Sequence, residues 1–210
     1  MADEKTAGRP AAEIPEDKIR WKGGALLAPL PAVLVTSQRE GERPNVCTVA
    51  WCGIVSTQPP RVYISLRPSR FSYAIIRDTR EFVLNLVPSS LVRTADTCGV
   101  LTGRCVDKFE KCRLTAEPSF TVSCPSLRES PMALECRVTD ILPQGSHDMF
   151  LADVTATAVS PSLIAPDGAL RLDRAHLAAF SHGEYFELGK KLGSFGFSVK
   201  KPGKARGNKN

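Results

Sequence analysis

The sequence lacks any long apolar run, although hydrophobic side chains make up 42% of its 210 residues. No stretch approaches the roughly 18–20 consecutive apolar residues that a transmembrane helix requires. The first ten residues, MADEKTAGRP, are polar and carry charges of both signs, so they contain no apolar signal-peptide region. The length suits one sizeable domain. We therefore expect a single cytoplasmic domain with no membrane partner.

Motifs for several common chemistries are also missing. The cysteines form no CxxC pair and the three histidines show no HxH or HxxxH spacing, so no metal site is predicted. Neither GxxxxGK[ST] nor GxGxxG after a strand occurs, which excludes a P-loop and a Rossmann dinucleotide site. No GxSxG elbow indicates a serine hydrolase. Seven cysteines are an odd number without a secretion signal, which favours free thiols over a disulfide framework.

Acidic residues are absent from the C-terminal end. The last eleven residues, KKPGKARGNKN, carry +5 of the net charge of +6. A basic tail can bind nucleic acid, but this one has no aromatic residue to stack on bases. We therefore expect a disordered basic tail at 201–210 and no nucleic-acid partner. The polar residues 1–22 are expected to form a flexible arm.

Hydrophobic patterning predicts a mainly β chain. Alternating or β-branched apolar runs predict six or seven strands, among them those at 30–38, 45–55, 61–66, 81–87, 132–142 and 149–159. Helical spacing predicts short helices at 71–80, 89–98, 107–112 and 173–180. This order fits an antiparallel barrel with flanking helices. The strand at 45–55 is apolar on both faces, so it is central in a closed barrel or its second face meets a cofactor or a subunit.

The segment Arg67-Pro68-Ser69-Arg70 lies between a predicted strand and a predicted helix. A helix start has unpaired N–H groups and the positive end of the dipole, which suit a phosphate when arginines are added. Ser69 or Ser72 is expected to cap the helix. The alternative is a capped surface helix with two ordinary arginines, and the residues alone leave both open. His147, in a predicted hairpin loop, is either solvent-exposed or touches a substrate.

Four segments together resemble the flavin reductase-like, FMN-binding split-barrel family, and flavoredoxins in particular. They are the run from NVCTVAWCGIV to EFVLNL at 45–86, CGVLTGRCVDKFE at 98–110, ALECRVTDILPQGSHDMFLADV at 133–154 and GEYFELGKKLGSFGFSV at 183–199. The resemblance implies one domain at 23–200. Its fold would be a six-stranded antiparallel Greek-key split barrel that forms a homodimer and holds one FMN per subunit near the interface.

The resemblance also implies roles for individual residues. Those expected to face the flavin ring are Asn45, Thr48, Val49, Ala50 and Trp51. Those expected to hold the phosphate and the ribityl chain are Ser65, Arg67, Ser69, Arg70 and Ser72. Loops beside the flavin would contribute Cys98, Gly99, Asp107, Lys108 and Phe109. His147 would lie near the open face, where a hydride donor stacks, and Tyr185 would cover the site. Relatives carry Gly-Arg-Asp-Val-Asp where this chain has Gly103-Arg104-Cys105-Val106-Asp107, so one acid is lost.

Three functions follow from the resemblance. The first is an NAD(P)H-dependent flavin reductase, with NADH or NADPH as the electron donor. The second is a flavoredoxin-like carrier whose tightly bound FMN exchanges electrons with a redox partner protein. The third is a non-catalytic FMN-binding module. In the first two the flavin supplies the chemistry, so no catalytic side chain is required, although His147 is a candidate.

Overall fold

The computed structural model describes residues 17–199. Within them the chain forms twelve strands and three α-helices. The strands are β1 (Leu30–Pro31), β2 (Val33–Ser37), β3 (Asn45–Val49), β4 (Cys52–Thr57), β5 (Pro60–Leu66), β6 (Glu81–Leu86), β7 (Ala116–Glu117), β8 (Ser126–Leu127), β9 (Met132–Pro143), β10 (Asp148–Val159), β11 (Ala178–Ser181) and β12 (Glu184–Glu187). The helices are α1 (Phe71–Thr79), α2 (Val92–Val100) and α3 (Lys108–Cys112).

One antiparallel sheet organises the fold. Its seven strands follow the order β3-β2-β6-β9-β10-β5-β4. The two strands that end this order, β3 and β4, are consecutive in the chain, and only Ala50 and Trp51 separate them. The sheet therefore curls into a barrel that is split at these two residues. The mainly β prediction is confirmed.

The predicted strand at 45–55 is in fact two strands. The chain leaves the ladder after Val49 and resumes at Cys52, so the sheet has seven strands, where the sequence pattern predicts six or seven and the resemblance implies six. Cys47 and Val49 face the barrel core, whereas Val46 packs with α2. The second apolar face of β3 is thus covered by a helix of the same chain. On β4, Ile54 is 80% exposed.

The barrel core explains why the strand segments pair as they do. Alternate side chains of β2, β5, β6 and β10 meet inside, where Phe82 and Phe150 are fully buried. Burying such side chains stabilises the fold by about 1.5–3 kcal/mol each. β2 is buried on both faces, because Leu34 packs under α2 on the outside. This packing fixes α2 beside β3.

Two local predictions are wrong. The predicted helix at 173–180 is one 3₁₀ turn, Leu172–Arg174, followed by strand β11, which pairs with β1 and β12. Ala178 and Ala179 are buried there, so sheet pairing outweighs the helix propensity of alanine. No serine caps α1: Arg70 occupies the N-cap position without a side-chain bond, and the hydroxyl of Ser72 accepts a hydrogen bond from Asn45 instead.

Several predictions concern the chain ends. The tail at 201–210 lies outside the described residues, as does most of the arm predicted at 1–22.

The hairpin predicted from 132 to 159 is confirmed, since β9 and β10 are the longest strands described and pair along their length. Among residues 17–199, no helix has both the length and the apolarity needed to cross a bilayer.

Candidate functional site

A cavity of about 250 Å³ opens at the N-terminus of α1. We call it the cationic cavity, because three of its lining residues are Arg67, Arg70 and Lys108. Arg67 directly follows strand β5, and Arg70 directly precedes α1. Lys108 is the first residue of α3. The other residues that line it are Asn45, Cys47, Ser69, Phe71, Ser72, Leu101, Thr102 and Gly103.

The three cations have no acidic partner. Among the described residues, no ion pair joins any of them to a carboxylate. Arg70 donates a hydrogen bond to the Gly99 carbonyl at 2.8 Å. Lys108 is 4% exposed, and its ammonium donates to carbonyls of β3 and α2 at 2.8 Å each. Burial lowers the pKa of Lys108. A buried amine without a counter-ion favours an anion in the adjacent cavity.

The start of α1 adds to the positive potential. No side chain accepts a hydrogen bond from the first amides of this helix, and its first turn contains no acidic residue. The side chain of Asn45 donates to Ser72 Oγ at 2.6 Å, which fixes both residues at the cavity floor. Free amides and the helix dipole attract an anion to the same point as the three cations.

A second cavity of about 150 Å³, the mouth cavity, adjoins the first through Arg67 and Arg70, which line both. Its remaining lining residues are Thr48, Val49, Ala50, Trp51, Ser65, Leu66 and His147. The split between β3 and β4 lies here. Among described residues the carbonyls of Ala50 and Trp51 accept hydrogen bonds, but their amides donate none. The break in the strand thus offers two free donors to the cavity.

His147 lies at the edge of the mouth cavity. Its ring is 4.4 Å from the Trp51 ring, centroid to centroid. Arg67 Nε donates to His147 Nε2 at 3.4 Å, and Ser146 Oγ lies 2.9 Å from Nδ1. Burial, Arg67 and Arg70 lower the pKa of His147. The lowered pKa favours the neutral imidazole, and the bond accepted at Nε2 favours the tautomer with its proton on Nδ1.

The structure brings most of the predicted residues together. The cationic and mouth cavities are lined by twelve of them, Asn45, Thr48, Val49, Ala50, Trp51, Ser65, Arg67, Ser69, Arg70, Ser72, Lys108 and His147. Gly99 contributes its carbonyl to Arg70. Asp107 caps α3 by accepting a hydrogen bond from the Glu110 amide.

Five predicted residues line neither cavity, namely Cys98, Gly99, Asp107, Phe109 and Tyr185. Cys98 lies on the buried face of α2, and burial raises the pKa of its thiol to about 12. Only the Cys98 carbonyl serves the site, because it accepts from Lys108. Tyr185 lies on β12, where its ring packs against Phe180 at 5.2 Å.

Sequence reasoning missed six lining residues. They are Cys47, Leu66, Phe71, Leu101, Thr102 and Gly103. Cys47 lies on β3 between the predicted residues Asn45 and Thr48, and it shares a strand face with the predicted Val49. For Leu101, Thr102 and Gly103, the signal in the sequence was the family-like segment at 98–110, which contains all three.

Comparisons with known proteins show which family and which solved structures the chain resembles. A family model for the flavin reductase like domain matches residues 26–187. An NADPH-flavin oxidoreductase of Streptomyces viridifaciens is 33% identical over 150 residues, which cover 70% of this chain and 75% of that protein. The structure of a flavoredoxin of Desulfovibrio vulgaris (Miyazaki F) is similar with a TM-score of 0.81 and 29% identity, over 87% of this chain and 100% of the other. A flavoredoxin from Methanosarcina acetivorans, at 22% identity and a TM-score of 0.78 over 87% and 99%, shares the fold.

Proposed function

The chain belongs to the flavin reductase like family, and from that premise we propose that it is an oxidoreductase that holds FMN and passes hydride or electrons through it. One observation carries the proposal. The cationic cavity adjoins the mouth cavity at Arg67 and Arg70, so one ligand can occupy both, with an anionic end in the first cavity and the rest in the second. FMN has this form, a phosphate joined by a ribityl chain to a flat ring.

The cationic cavity fits the FMN phosphate. A phosphate monoester carries about −1.5 to −2 charges at pH 7, and three cations without acidic partners would offset that charge. Arg67 and Arg70 would bind its oxygens from the exposed side. Lys108 would hold its charge from below, and the amides of α1 would donate from the helix end.

The mouth cavity fits the ring. The free amides of Ala50 and Trp51 would donate to acceptor atoms along one ring edge. When bound, FMN supplies the redox chemistry, since it accepts a hydride and passes electrons on singly or in pairs. A neutral His147 would add no charge at the entrance. The face of the flavin ring beside Trp51 would be left for a hydride donor.

The electron donor separates two versions of this proposal. An NADPH-flavin oxidoreductase among the relatives supports a nicotinamide donor, either NADH or NADPH. Similarity to a flavoredoxin over 87% of the chain supports the second version, in which a protein partner exchanges electrons with tightly bound FMN. We favour the first version, because the relative named as an NADPH-flavin oxidoreductase is 33% identical to this chain over 150 residues.

The visible spectrum of the purified protein tests the proposal. FMN is added, excess is removed by desalting, and NADH, NADPH and dithionite are added in turn without oxygen. Flavin bands that bleach with a pyridine nucleotide support the reductase. Bands that persist until dithionite support the electron carrier. Absence of flavin bands after desalting contradicts tight FMN binding.

A further inference from the structure

The tip of the β9–β10 hairpin, which we define as residues 144–148, carries His147. Within the tip, the Gln144 amide donates a hydrogen bond to the His147 carbonyl at 2.8 Å, and Gly145 has a φ of +79°. These local features shape the turn, but they do not set where it lies relative to the mouth cavity. Because His147 lines that cavity, the position of the hairpin tip sets the width of the entrance.

Among the described residues, two side-chain hydrogen bonds join the hairpin tip to the rest of the barrel. The bond from Arg67 to His147 is long, at 3.4 Å, whereas the Tyr73 hydroxyl donates to Asp148 Oδ2 at 2.5 Å. The second bond is the stronger, because it is short and its acceptor is a carboxylate. Hydrogen bonding to Asp148 raises the pKa of Tyr73, so the phenol remains the donor.

Tyr73 provides a rigid support for the hairpin tip. It lies on α1, the helix whose start borders the cationic cavity. Its ring packs edge-on against the fully buried Phe150, with centroids 5.2 Å apart and planes at 81°. Phe150 and Asp148 are two residues apart on β10 and therefore share a face of the strand. Tyr73 thus contacts this face twice, with its ring and with its hydroxyl.

The bond at Asp148 has a consequence for His147, the residue directly before it. Neighbouring side chains along an extended chain point to opposite faces, so an Asp148 held towards α1 leaves His147 facing the other way. There the His147 ring lies 4.4 Å from the Trp51 ring. Tyr73 and Asp148 themselves line neither the cationic nor the mouth cavity. Their influence on the site therefore passes through His147.

We propose that Tyr73 and Asp148 are positioning residues, whose hydrogen bond keeps His147 against Trp51 and so sets the entrance by which a nicotinamide donor reaches the mouth cavity. The part that concerns the donor rests on the proposed function. The position of His147 does not, because every contact that fixes it lies within this chain. When the bond is lost, binding of the donor must also order the hairpin tip, which weakens that binding.

Proton NMR of the full chain without flavin tests the position of His147. The Trp51 ring shifts the resonances of the His147 ring protons, which are assigned by their loss in His147→Gln. Tyr73→Phe keeps the ring and removes the hydroxyl, so these resonances should move towards their positions in the urea-unfolded chain. Asp148→Leu should move them in the same way. Asp148→Asn should leave them in place, because its amide oxygen still accepts a hydrogen bond.

Stopped-flow reduction of the FMN-loaded protein by NADPH tests the consequence for the donor. In Tyr73→Phe and Asp148→Leu, the half-saturating NADPH concentration should rise about 3–10-fold, while the limiting rate changes less than about twofold. The FMN dissociation constant should be unchanged. Asp153→Leu is the matched control, because Asp153 lies on the same strand, pairs with Arg61 and lines neither cavity. It should alter neither the resonances nor the kinetics.

The outcomes separate this inference from the proposed function. Unmoved His147 resonances in Tyr73→Phe and Asp148→Leu would overturn the positioning role, and so would an Asp148→Asn protein that behaves like Asp148→Leu. Moved resonances with an unchanged half-saturating NADPH concentration would overturn the role of the entrance. If NADPH fails to reduce the unaltered FMN-loaded protein, the nicotinamide donor of the proposed function is contradicted, whereas the NMR comparison still decides what positions His147.

Discussion

Arg70 is the side chain that best tests how the site holds an anion. It lines both the cationic and the mouth cavity, and its bond to the Gly99 carbonyl fixes its position. We expect Arg70→Ala to weaken FMN binding by about 1.5–3 kcal/mol, the range for a hydrogen bond to a charged group. Fluorescence titration of the flavin-free protein measures the loss. Arg93→Ala should bind FMN normally, because Arg93 is exposed on α2 and lines neither cavity. An unchanged affinity in Arg70→Ala would exclude a role at the phosphate.

The seven cysteines differ in how exposed their side chains are. All seven are free, and only Cys105 is exposed. Burial raises the pKa of Cys52 and of Cys124 to about 12, so neither forms the reactive thiolate near neutral pH. We expect a disulfide reagent at pH 8 to label one thiol rapidly and Cys105→Ser to remove that phase. Two or more fast thiols in the Cys105→Ser protein would contradict this assignment.

The buried thiols also predict how stability depends on pH. Their pKa values are higher in the folded chain than the ordinary value near 8.5–9. The unfolded chain therefore loses these protons first as pH rises. The contribution of each buried thiol to the free energy of unfolding is complete below about pH 8.5. It declines towards pH 12, by at most about 1.4 kcal/mol per pH unit. Urea unfolding with reductant at pH 8 and pH 10 measures it. Cys124→Ala should show a shallower decline, and an equal decline would rule out a contribution from Cys124.

At the scale of elements, one buried carboxylate anchors a long loop. Glu135 on β9 is fully buried and accepts hydrogen bonds from the amides of Phe120 and Thr121 and from the Thr121 hydroxyl, at 2.6–2.7 Å. We expect Glu135→Gln to lower the free energy of unfolding by about 2–3 kcal/mol, because an amide group cannot accept all three. Urea unfolding measures the change.

A surface carboxylate of the same region is the control for Glu135. Glu117 pairs with Arg128 on the surface, and such pairs contribute about 0–1 kcal/mol. Glu117→Gln should therefore change stability much less than Glu135→Gln. FMN affinity should be unchanged in both variants, since neither residue lines the cationic or the mouth cavity. Equal losses in the two variants would show that the loop is not anchored through Glu135.

Elements were predictable where one local signal governs them. The alternation in 132–142 and 149–159 predicts β9 and β10, and the apolar spacing after Arg70 predicts α1. The break at Ala50 and Trp51 was not predictable, because it comes from barrel closure between distant strands, and the apolar run continues across it. β11 was missed for a similar reason: its residues favour a helix locally, and only pairing with β1 and β12 makes them a strand.

At the scale of the whole molecule, the site was predicted by resemblance more than by residue chemistry. From the residues alone, Arg67 to Ser72 fitted a phosphate or an ordinary capped helix equally well. Lys108 was recognisable only through the family segment, because its burial and its two carbonyl partners depend on how α3 packs against β3. Gly103 was missed as a lining residue, since nothing local shows that this glycine packs against Asn45 and Phe71.

The exposed face of β4 leads to a prediction about assembly. Ile54 is 80% and Val55 50% exposed, and a cavity beside them is lined by Leu27, Trp51 and Tyr63 among others. Contiguous exposed apolar surface of this kind marks an association site. We propose that a second copy covers it, which would place the mouth cavity beside the interface. The particle mass in solution should be twice the chain mass of 22.8 kDa.

Ile54→Glu tests the proposed dimer. At a two-fold interface each substitution occurs twice, and a buried unpaired carboxylate is costly. We therefore expect this variant to be monomeric by sedimentation, while Ile164→Glu, at an exposed apolar residue away from β4, remains dimeric. FMN affinity should fall in Ile54→Glu if the partner completes the mouth cavity. A dimeric Ile54→Glu protein would place the interface on another surface, and a monomeric one with unchanged FMN affinity would show that each subunit binds FMN alone.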